Sequence, residues 1–282
     1  MEIQLNLDLQ GAYDTAGLHL NEWAAKNNYR IPEDFTFLKM RQASFSFFDM
    51  SFRYKNQVFA IFLDIIHGKE SIFEDRHKRK MQLIEFCRKY NIVPCLFPLD
   101  LSLAKESGPQ GYGTYCTGKH TSQQSFIPRF RDSWNLLYAP TNARINPSEW
   151  ATDEPVQMSE YEQYNFATEI AKPIIEKEYG YIVEWNDVLP SNSPQLVYIN
   201  RERCIEEWCC VRVVDKPIAD LTESEMEYAT RKTHVYNPIY IRSGLYFIVY
   251  IENKNRTDLT HKYQYEVKRH YSIADYSLLN HF

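Results

Sequence analysis

Two apolar runs of strand length, residues 58–66 and 245–251, constrain the fold of this chain most strongly. They are rich in β-branched and aromatic side chains, which favour strands. Both are much shorter than the roughly 18 apolar residues that a membrane-spanning helix needs. Together with the helical segments around them, they predict an α+β fold with mainly antiparallel sheets and no association with a membrane.

The first part of the chain predicts the order helix, three strands, helix, strand. Asp14 or Thr15 can cap the first helix, and Ser71 with Glu74 has the spacing of a capping box that begins the second helix. The expected elements lie at residues 16–27, 35–40, 44–54, 57–66, 71–90 and 92–97.

The last part of the chain predicts the same order, with further strands at its end. Ser159 with Glu162 and Thr222 with Glu225 have capping-box spacing, and Pro173 is expected to kink or divide the first helix. The expected elements lie at residues 159–179, 181–185, 195–201, 206–214, 222–230, 239–242, 245–252 and 262–271.

This repeated order predicts an internal duplication. The first α+β unit would occupy residues 1–102, and the second, with its extra C-terminal strands, residues 159–282. Residues 103–158 between them are rich in Gly, Pro, Ser and Thr, which is typical of a long connection or an inserted loop region.

Composition excludes several classes of protein. The net charge of −5 over 282 residues argues against a general nucleic-acid-binding protein, because such proteins usually carry an excess of Lys and Arg. The six cysteines show no C-x-x-C spacing, so we expect no structural zinc site. The N-terminus lacks a basic segment followed by an apolar run, which would mark secretion. We therefore expect reduced thiols in a cytoplasmic protein.

Asp49 and Asp64 each lie in an otherwise apolar or aromatic strand of the first predicted hairpin. A buried carboxylate must be paired, hydrogen-bonded or bound to a cation, because its desolvation is costly. Two carboxylates on adjacent strands could hold Mg²⁺ or Mn²⁺, and Lys69 follows soon after them. These three residues are candidates for a catalytic metal site. The alternative is that Asp49 marks an exposed face and Asp64 a strand end, in which case no cofactor is expected.

The order of elements over residues 14–100 resembles the core of the PD-(D/E)XK nuclease superfamily, which uses an acidic pair and a lysine. The resemblance implies that Asp49 and Asp64 are metal ligands. The chain departs from the family motif at two positions: Phe48 precedes Asp49 where the family has Pro, and Ile66 stands where the family has Lys. Lys69 would then have to act from the end of the strand.

Residues 113–120 combine glycine, cysteine, lysine and histidine in one segment. The spacing G-x-x-x-x-G-K is that of a nucleotide-binding loop, but His120 stands where such a loop needs Ser or Thr for Mg²⁺. Cys116 and His120 could instead form a nucleophile and its base. A surface loop that happens to contain these residues is the simpler interpretation.

The basic run at residues 76–80 lies on the second predicted helix. It could bind phosphate, but nearby acidic residues favour a solvated helix face with local ion pairs.

Tyrosines are concentrated in the C-terminal strands, and Tyr240, Tyr246 and Tyr250 are the candidate binding residues. Strand alternation places Tyr246 and Tyr250 on one face of a sheet. Such a face can contact a partner or pack beneath helices.

These observations leave three functions open. The leading one is a non-catalytic cytoplasmic binding or accessory protein that acts through aromatic strand surfaces, with an unidentified protein partner or by self-association. The first alternative is a divalent-metal phosphodiesterase or nuclease that uses the acidic pair, for which nucleic acid would be the partner. The second alternative is a cysteine-dependent transferase or hydrolase at Cys116.

Overall fold

The computed structural model describes residues 9–30, 33–39, 47–103, 124–185, 195–231, 243–258 and 260–271. These residues form two compact units that divide between Thr152 and Asp153. Each unit has its own sheet and its own hydrophobic core. No helix among the described residues has both the length and the apolar character needed to cross a membrane.

The first unit is a sheet with helices on both faces. Its elements are α1 (Leu9–Lys26), β1 (Phe35–Lys39), β2 (Met50–Tyr54), β3 (Gln57–His67), β4 (Glu70–Ser71), α2 (Arg76–Tyr90), β5 (Val93–Leu103), β6 (Gln124–Pro128) and β7 (Leu137–Tyr138), followed by a 3₁₀ turn (Pro147–Glu149).

The sheet of the first unit has the strand order β1-β2-β3-β5-β6, in which only β3 and β5 are parallel. A parallel pair needs a crossover connection, and α2 supplies it. The short strand β4 pairs with the end of β3, and β7 pairs with β5.

Alternate residues of β3 face different helices. Phe59, Ile61, Leu63 and Ile65 belong to the same core cluster as the buried face of α1. The residues between them face α2: the Arg79 guanidinium lies 4.4 Å from the centre of the Phe62 ring. β3 is therefore covered on both faces, and a polar side chain on either face has little contact with water.

The start of α2 differs from the sequence prediction. Ser71 lies in β4 opposite Ile66, so the predicted capping box with Glu74 does not form. The helix begins at Arg76, after Asp75, whose side chain makes no capping hydrogen bond. Pairing with β3 competes with capping for Ser71, and the strand pairing prevails.

The first unit extends to Thr152, well beyond its predicted end at residue 102. β6 pairs antiparallel with β5, and Trp134 and Leu136 are buried in the core of this unit. Residues 124–152 thus belong to the first unit, because they supply strands and core side chains that the sheet needs. Residues 104–123 of the predicted connection lie outside the described residues.

The second unit contains α3 (Glu160–Glu178), β8 (Gly180–Trp185), β9 (Leu196–Asn200), β10 (Glu206–Val214), a 3₁₀ turn (Ile218–Asp220), α4 (Glu223–Arg231), β11 (Ser243–Ile251) and β12 (Tyr263–Tyr271). Its strand order is β8-β9-β10-β11-β12. Only β10 and β11 are parallel, and α4 lies in the crossover between them.

Both capping boxes predicted in the second unit are present. The Glu162 amide donates to Ser159 Oγ at 3.3 Å, and the Ser159 amide donates to Glu162 Oε2 at 2.8 Å. Thr222 and Glu225 make the corresponding pair of bonds at the start of α4. α3 runs through Pro173 without a division.

The α+β fold and its mainly antiparallel sheets are confirmed. Both units have the order helix, three antiparallel strands, crossover helix, parallel strand and a final antiparallel strand. A shared order of elements does not require a shared origin, so the internal duplication stays a prediction.

His19 connects α1 to the segment after β6. Its Nε2 lies 2.9 Å from the backbone oxygen of Ser133, and its ring contacts Phe97 edge to face. Partial burial lowers the pKa of His19, and the charge of Lys26 acts in the same direction, whereas Ser133 and Glu22 oppose it.

We expect the stability of the protein to fall as the pH drops below about 6.5, the pKa of an unfolded histidine. The unfolded chain then takes up a proton at His19 that the folded chain resists, so unfolding is favoured. His19→Gln keeps a side-chain donor for Ser133 and cannot titrate. Thermal unfolding between pH 7.5 and 5 should therefore show a smaller loss of midpoint for His19→Gln than for the wild type. Equal losses would show that His19 does not contribute to the pH dependence.

Candidate functional site

Asp49 lies at the point where β2 separates from β3. Its amide donates to the Ile61 carbonyl at 2.7 Å, and its Oδ2 accepts the Leu63 amide at 2.7 Å. The side chain thus takes the place that a backbone carbonyl would have in the next step of the β2–β3 ladder. Asp49 is 4% exposed, so this carboxylate ends the pairing of the two strands inside the protein.

Tyr13 of α1 supplies a second hydrogen bond to Asp49. Its hydroxyl donates to Asp49 Oδ1 at 3.2 Å. Burial raises the pKa of Tyr13 strongly, the charge of Asp49 and the hydrogen bond between them raise it further, and the charge of Arg79 opposes the increase. The phenol therefore stays neutral and remains a donor to the carboxylate.

Asp64 lies on the part of β3 that extends beyond β2. It is 2% exposed, on the face of the sheet that α2 covers. Both Nε and Nη2 of Arg76 approach Asp64 Oδ2, at 2.9 and 2.7 Å. The other oxygen, Oδ1, is buried and accepts no hydrogen bond from the described residues.

The basic run on α2 supplies the positive charge that Asp64 needs. The hydrogen bond to Asp64 raises the pKa of Arg76. Lys80 is close enough to respond to both groups: partial burial and Arg76 lower its pKa, and Asp64 opposes them. The ion pair that this helix makes here is therefore between Arg76 and Asp64 of the sheet. We call Asp49 and Asp64, at the separation of β2 from β3, the acidic fork.

Lys69 lies in the two-residue turn between β3 and β4, where it is exposed. Gly68 precedes it with φ +67°, a backbone conformation that glycine adopts without strain. The structure thus places the two carboxylates along β3 and the lysine at the tip of a hairpin. Ile66, where the nuclease motif has lysine, is buried.

Three of the predicted site residues, Cys116, His120 and Tyr240, lie outside the described residues. Tyr246 is 5% exposed and packs edge to face on Trp208, with ring centres 5.3 Å apart. Tyr246 belongs to the cluster beneath α4 that includes Ala229, and Tyr250 is half-buried. The sequence left open whether the tyrosine face contacts a partner or packs beneath helices. For Tyr246, the structure shows packing beneath a helix.

The exposed tyrosines of the C-terminal strands lie on β12. Tyr263 and Tyr265 are 41% and 43% exposed. Tyr265 stacks on Phe247 with ring centres 5.1 Å apart, which holds its ring against the sheet. β12 has β11 as its one neighbour among the described strands. We call Tyr263 and Tyr265 on this strand the aromatic edge.

The second unit repeats the geometry of the acidic fork with different residues. The Gln195 amide donates to the Cys209 carbonyl at 3.0 Å, and Gln195 Oε1 accepts the Val211 amide at 2.6 Å. Arg212 follows Val211 and is 4% exposed. We call Gln195 and Arg212, at the separation of β9 from β10, the basic fork.

Arg212 is not among the site residues predicted from the sequence, although the sequence carries a signal for it. Arg212 is a charged residue inside the apolar run Trp208-Cys-Cys-Val-Arg-Val-Val. The same criterion identified Asp64 in β3. Gln195 and Tyr13 carried no comparable signal, because a glutamine before a strand and a tyrosine on a helix are common.

Comparison of the chain with protein-family models, with curated proteins and with solved structures gives no match. The resemblance to PD-(D/E)XK nucleases therefore stays a prediction from the order of elements. Within the described residues, no three His, Cys, Asp or Glu side chains are grouped so that they could hold a metal ion.

We expect Tyr13→Phe to lower the free energy of unfolding by about 1–3 kcal/mol, because it removes a buried donor from the Asp49 carboxylate. The aromatic ring and its packing remain. Tyr228→Phe is the matched control, since Tyr228 is 62% exposed on α4. Urea denaturation of both variants measures the difference. Equal effects of the two substitutions would exclude a structural role for the Tyr13 hydroxyl.

Proposed function

We propose that this protein has no catalytic activity and acts by binding, through the aromatic edge of its second unit. The observation that supports this proposal is that the carboxylates of the acidic fork already accept hydrogen bonds from the protein. Asp49 uses both oxygens, and Asp64 forms an ion pair with Arg76.

A metal-dependent phosphodiesterase needs carboxylate oxygens that are available to a cation. In the acidic fork, a metal ion would compete with Arg76 for Asp64 and with the Leu63 amide and Tyr13 for Asp49. The strand position that carries lysine in the nuclease motif carries Ile66. These carboxylates therefore fit a structural role better than a catalytic one.

The binding partner that the aromatic edge fits best is a second copy of this chain. An edge strand presents unpaired backbone groups that another strand can pair with. If two β12 strands pair antiparallel about Val267, Glu266 of each copy lies opposite Lys268 of the other. The strand is thus complementary in charge to itself, and the exposed tyrosines add contact area.

We expect the isolated protein to form a dimer that weakens about tenfold on Glu266→Lys, because two like-charged pairs then lie opposite each other. Lys268→Glu should have the same effect, and the double variant Glu266→Lys/Lys268→Glu should restore the wild-type affinity. Sedimentation velocity over a concentration series measures all four proteins.

Replacement of the exposed ring by Tyr265→Ser should also weaken the dimer, whereas Tyr228→Ser on α4 should not. A wild-type protein that stays monomeric at all concentrations, or a double variant that is not restored, would overturn the proposed pairing.

One observation favours the metal-dependent phosphodiesterase as a second candidate. Among the residues that the structure describes, Asp64 Oδ1 has no hydrogen-bond partner, and such a buried oxygen could accept a cation. The cysteine-dependent reaction at Cys116 stays a prediction, because that segment lies outside the described residues.

Thermal unfolding of the metal-stripped protein with and without excess Mn²⁺ distinguishes the first two candidates. A ligand that binds only the folded state raises the midpoint according to RT ln(1 + [L]/Kd). If the carboxylates are structural, Mn²⁺ produces the same small change in wild type and in Asp64→Asn. A rise in wild type that is lost in Asp64→Asn would support the metal enzyme and contradict the absence of catalysis.

A further inference from the structure

The basic fork and the acidic fork occupy the same position in their sheets. The pairing of β9 with β10 ends at the pair Leu196–Cys209. In the same way, the pairing of β2 with β3 ends at the pair Met50–Ile61. In each case the side chain of the residue just before β2 or β9 accepts the backbone amide that lies two residues beyond the last paired residue of β3 or β10. The charged residue that follows is Asp64 in the first unit and Arg212 in the second.

Arg212 is buried on the face of the sheet that α4 covers, since Cys210, two residues earlier, packs with Ala229 of that helix. Its Nη1 donates to the Val211 carbonyl at 2.7 Å. Its Nε and Nη2 are buried, and neither donates a hydrogen bond to any residue that the structure describes. These two nitrogens form one edge of the guanidinium group, and their parallel N–H bonds match two oxygens of an oxyanion.

Gln195 adds a third unpartnered donor to the fork. Its Oε1 accepts the Val211 amide, and its Nε2 is buried without a hydrogen-bond partner in the described part of the chain. The carboxamide thus lies beside the residue that precedes Arg212. All three unpartnered nitrogens of the basic fork are donors, so a group that satisfies them must offer acceptors.

The buried carboxylates of the second unit pair with other arginines. Glu207 forms ion pairs with Arg203 and Arg269, at 3.4 and 3.0 Å. Glu162 pairs with Arg256 at 2.7 Å. Among the described residues, no ion pair includes Arg212. A guanidinium that is 4% exposed therefore carries a desolvation cost that no carboxylate of the described chain offsets.

We propose that the basic fork binds an oxyanion of the phosphate type, held by the Nε–Nη2 edge of Arg212 with the Gln195 carboxamide beside it. The anion supplies the acceptors and the negative charge that the fork lacks. It lies on the face of the sheet that α4 covers, where Arg212 is buried. This inference is independent of the dimer, since the aromatic edge lies on a different strand.

Thermal unfolding in inorganic phosphate, compared with chloride at equal ionic strength, tests the proposal. The wild-type midpoint should rise with phosphate concentration in the form expected for one site. Phosphate also stabilises proteins generally by exclusion from their surface, so the variants serve as the reference for that effect.

Arg212→Met should lose the site-specific rise and should be at least as stable as the wild type without phosphate, because it removes an unpaired buried charge. Arg203→Met is the matched control. Arg203 has a carboxylate partner, and that partner keeps Arg269 when Arg203 is replaced, so the phosphate response should remain.

Gln195→Glu provides a second variant with nearly the same shape. Its carboxylate can still accept the Val211 amide and places a negative charge beside Arg212. We expect a higher midpoint without phosphate and no further specific rise with it. Equal phosphate responses in wild type, Arg212→Met and Gln195→Glu would overturn the proposal. Acetate that reproduces the phosphate response at the same concentration would contradict the preference for phosphate.

Discussion

Parallel pairing at the centre of each sheet is the constraint on which both units depend. β3 pairs with β5 and β10 pairs with β11, and a parallel pair needs a crossover that leaves the central strands covered on both faces. A charged side chain on such a strand loses its water and must find a group of opposite charge. Asp64 and Arg212 are both in this position, at 2% and 4% exposure.

The two units meet this requirement differently. In the first unit, the crossover helix α2 provides Arg76, and α1 provides Tyr13 for Asp49, so the acidic fork is satisfied largely by the protein itself. In the second unit, Arg212 has no carboxylate partner among the described residues. The first unit thus fits a structural role, whereas the basic fork and the aromatic edge give the second unit its two proposed binding surfaces.

Local signals in the sequence predicted the start of a helix correctly where a single capping interaction determines it. The capping boxes at Ser159 and Thr222 start their helices as predicted, because both partners of each box are three residues apart. The similar pattern at Ser71 failed, since pairing of β4 with β3 engages that residue. The end of the first unit was misplaced because β6 and Trp134 belong to a sheet whose other strands lie far earlier in the chain.

The sequence by itself determined the α+β order and placed Asp49 and Asp64 in otherwise apolar strands, but it left open whether the strands bury these charges. Arg212 is likewise a charged residue in an apolar strand, although it was not among the predicted site residues. Only the tertiary structure decided which groups meet these charges. Strand register brings Leu63 to Asp49 and Val211 to Gln195, and the crossover helix brings Arg76 to Asp64. Each of these partners is at least twelve residues away in sequence, so no local pattern specifies it. Register and helix packing are cooperative properties of the whole sheet, and they decide which buried charge is neutralised and which is left for a ligand.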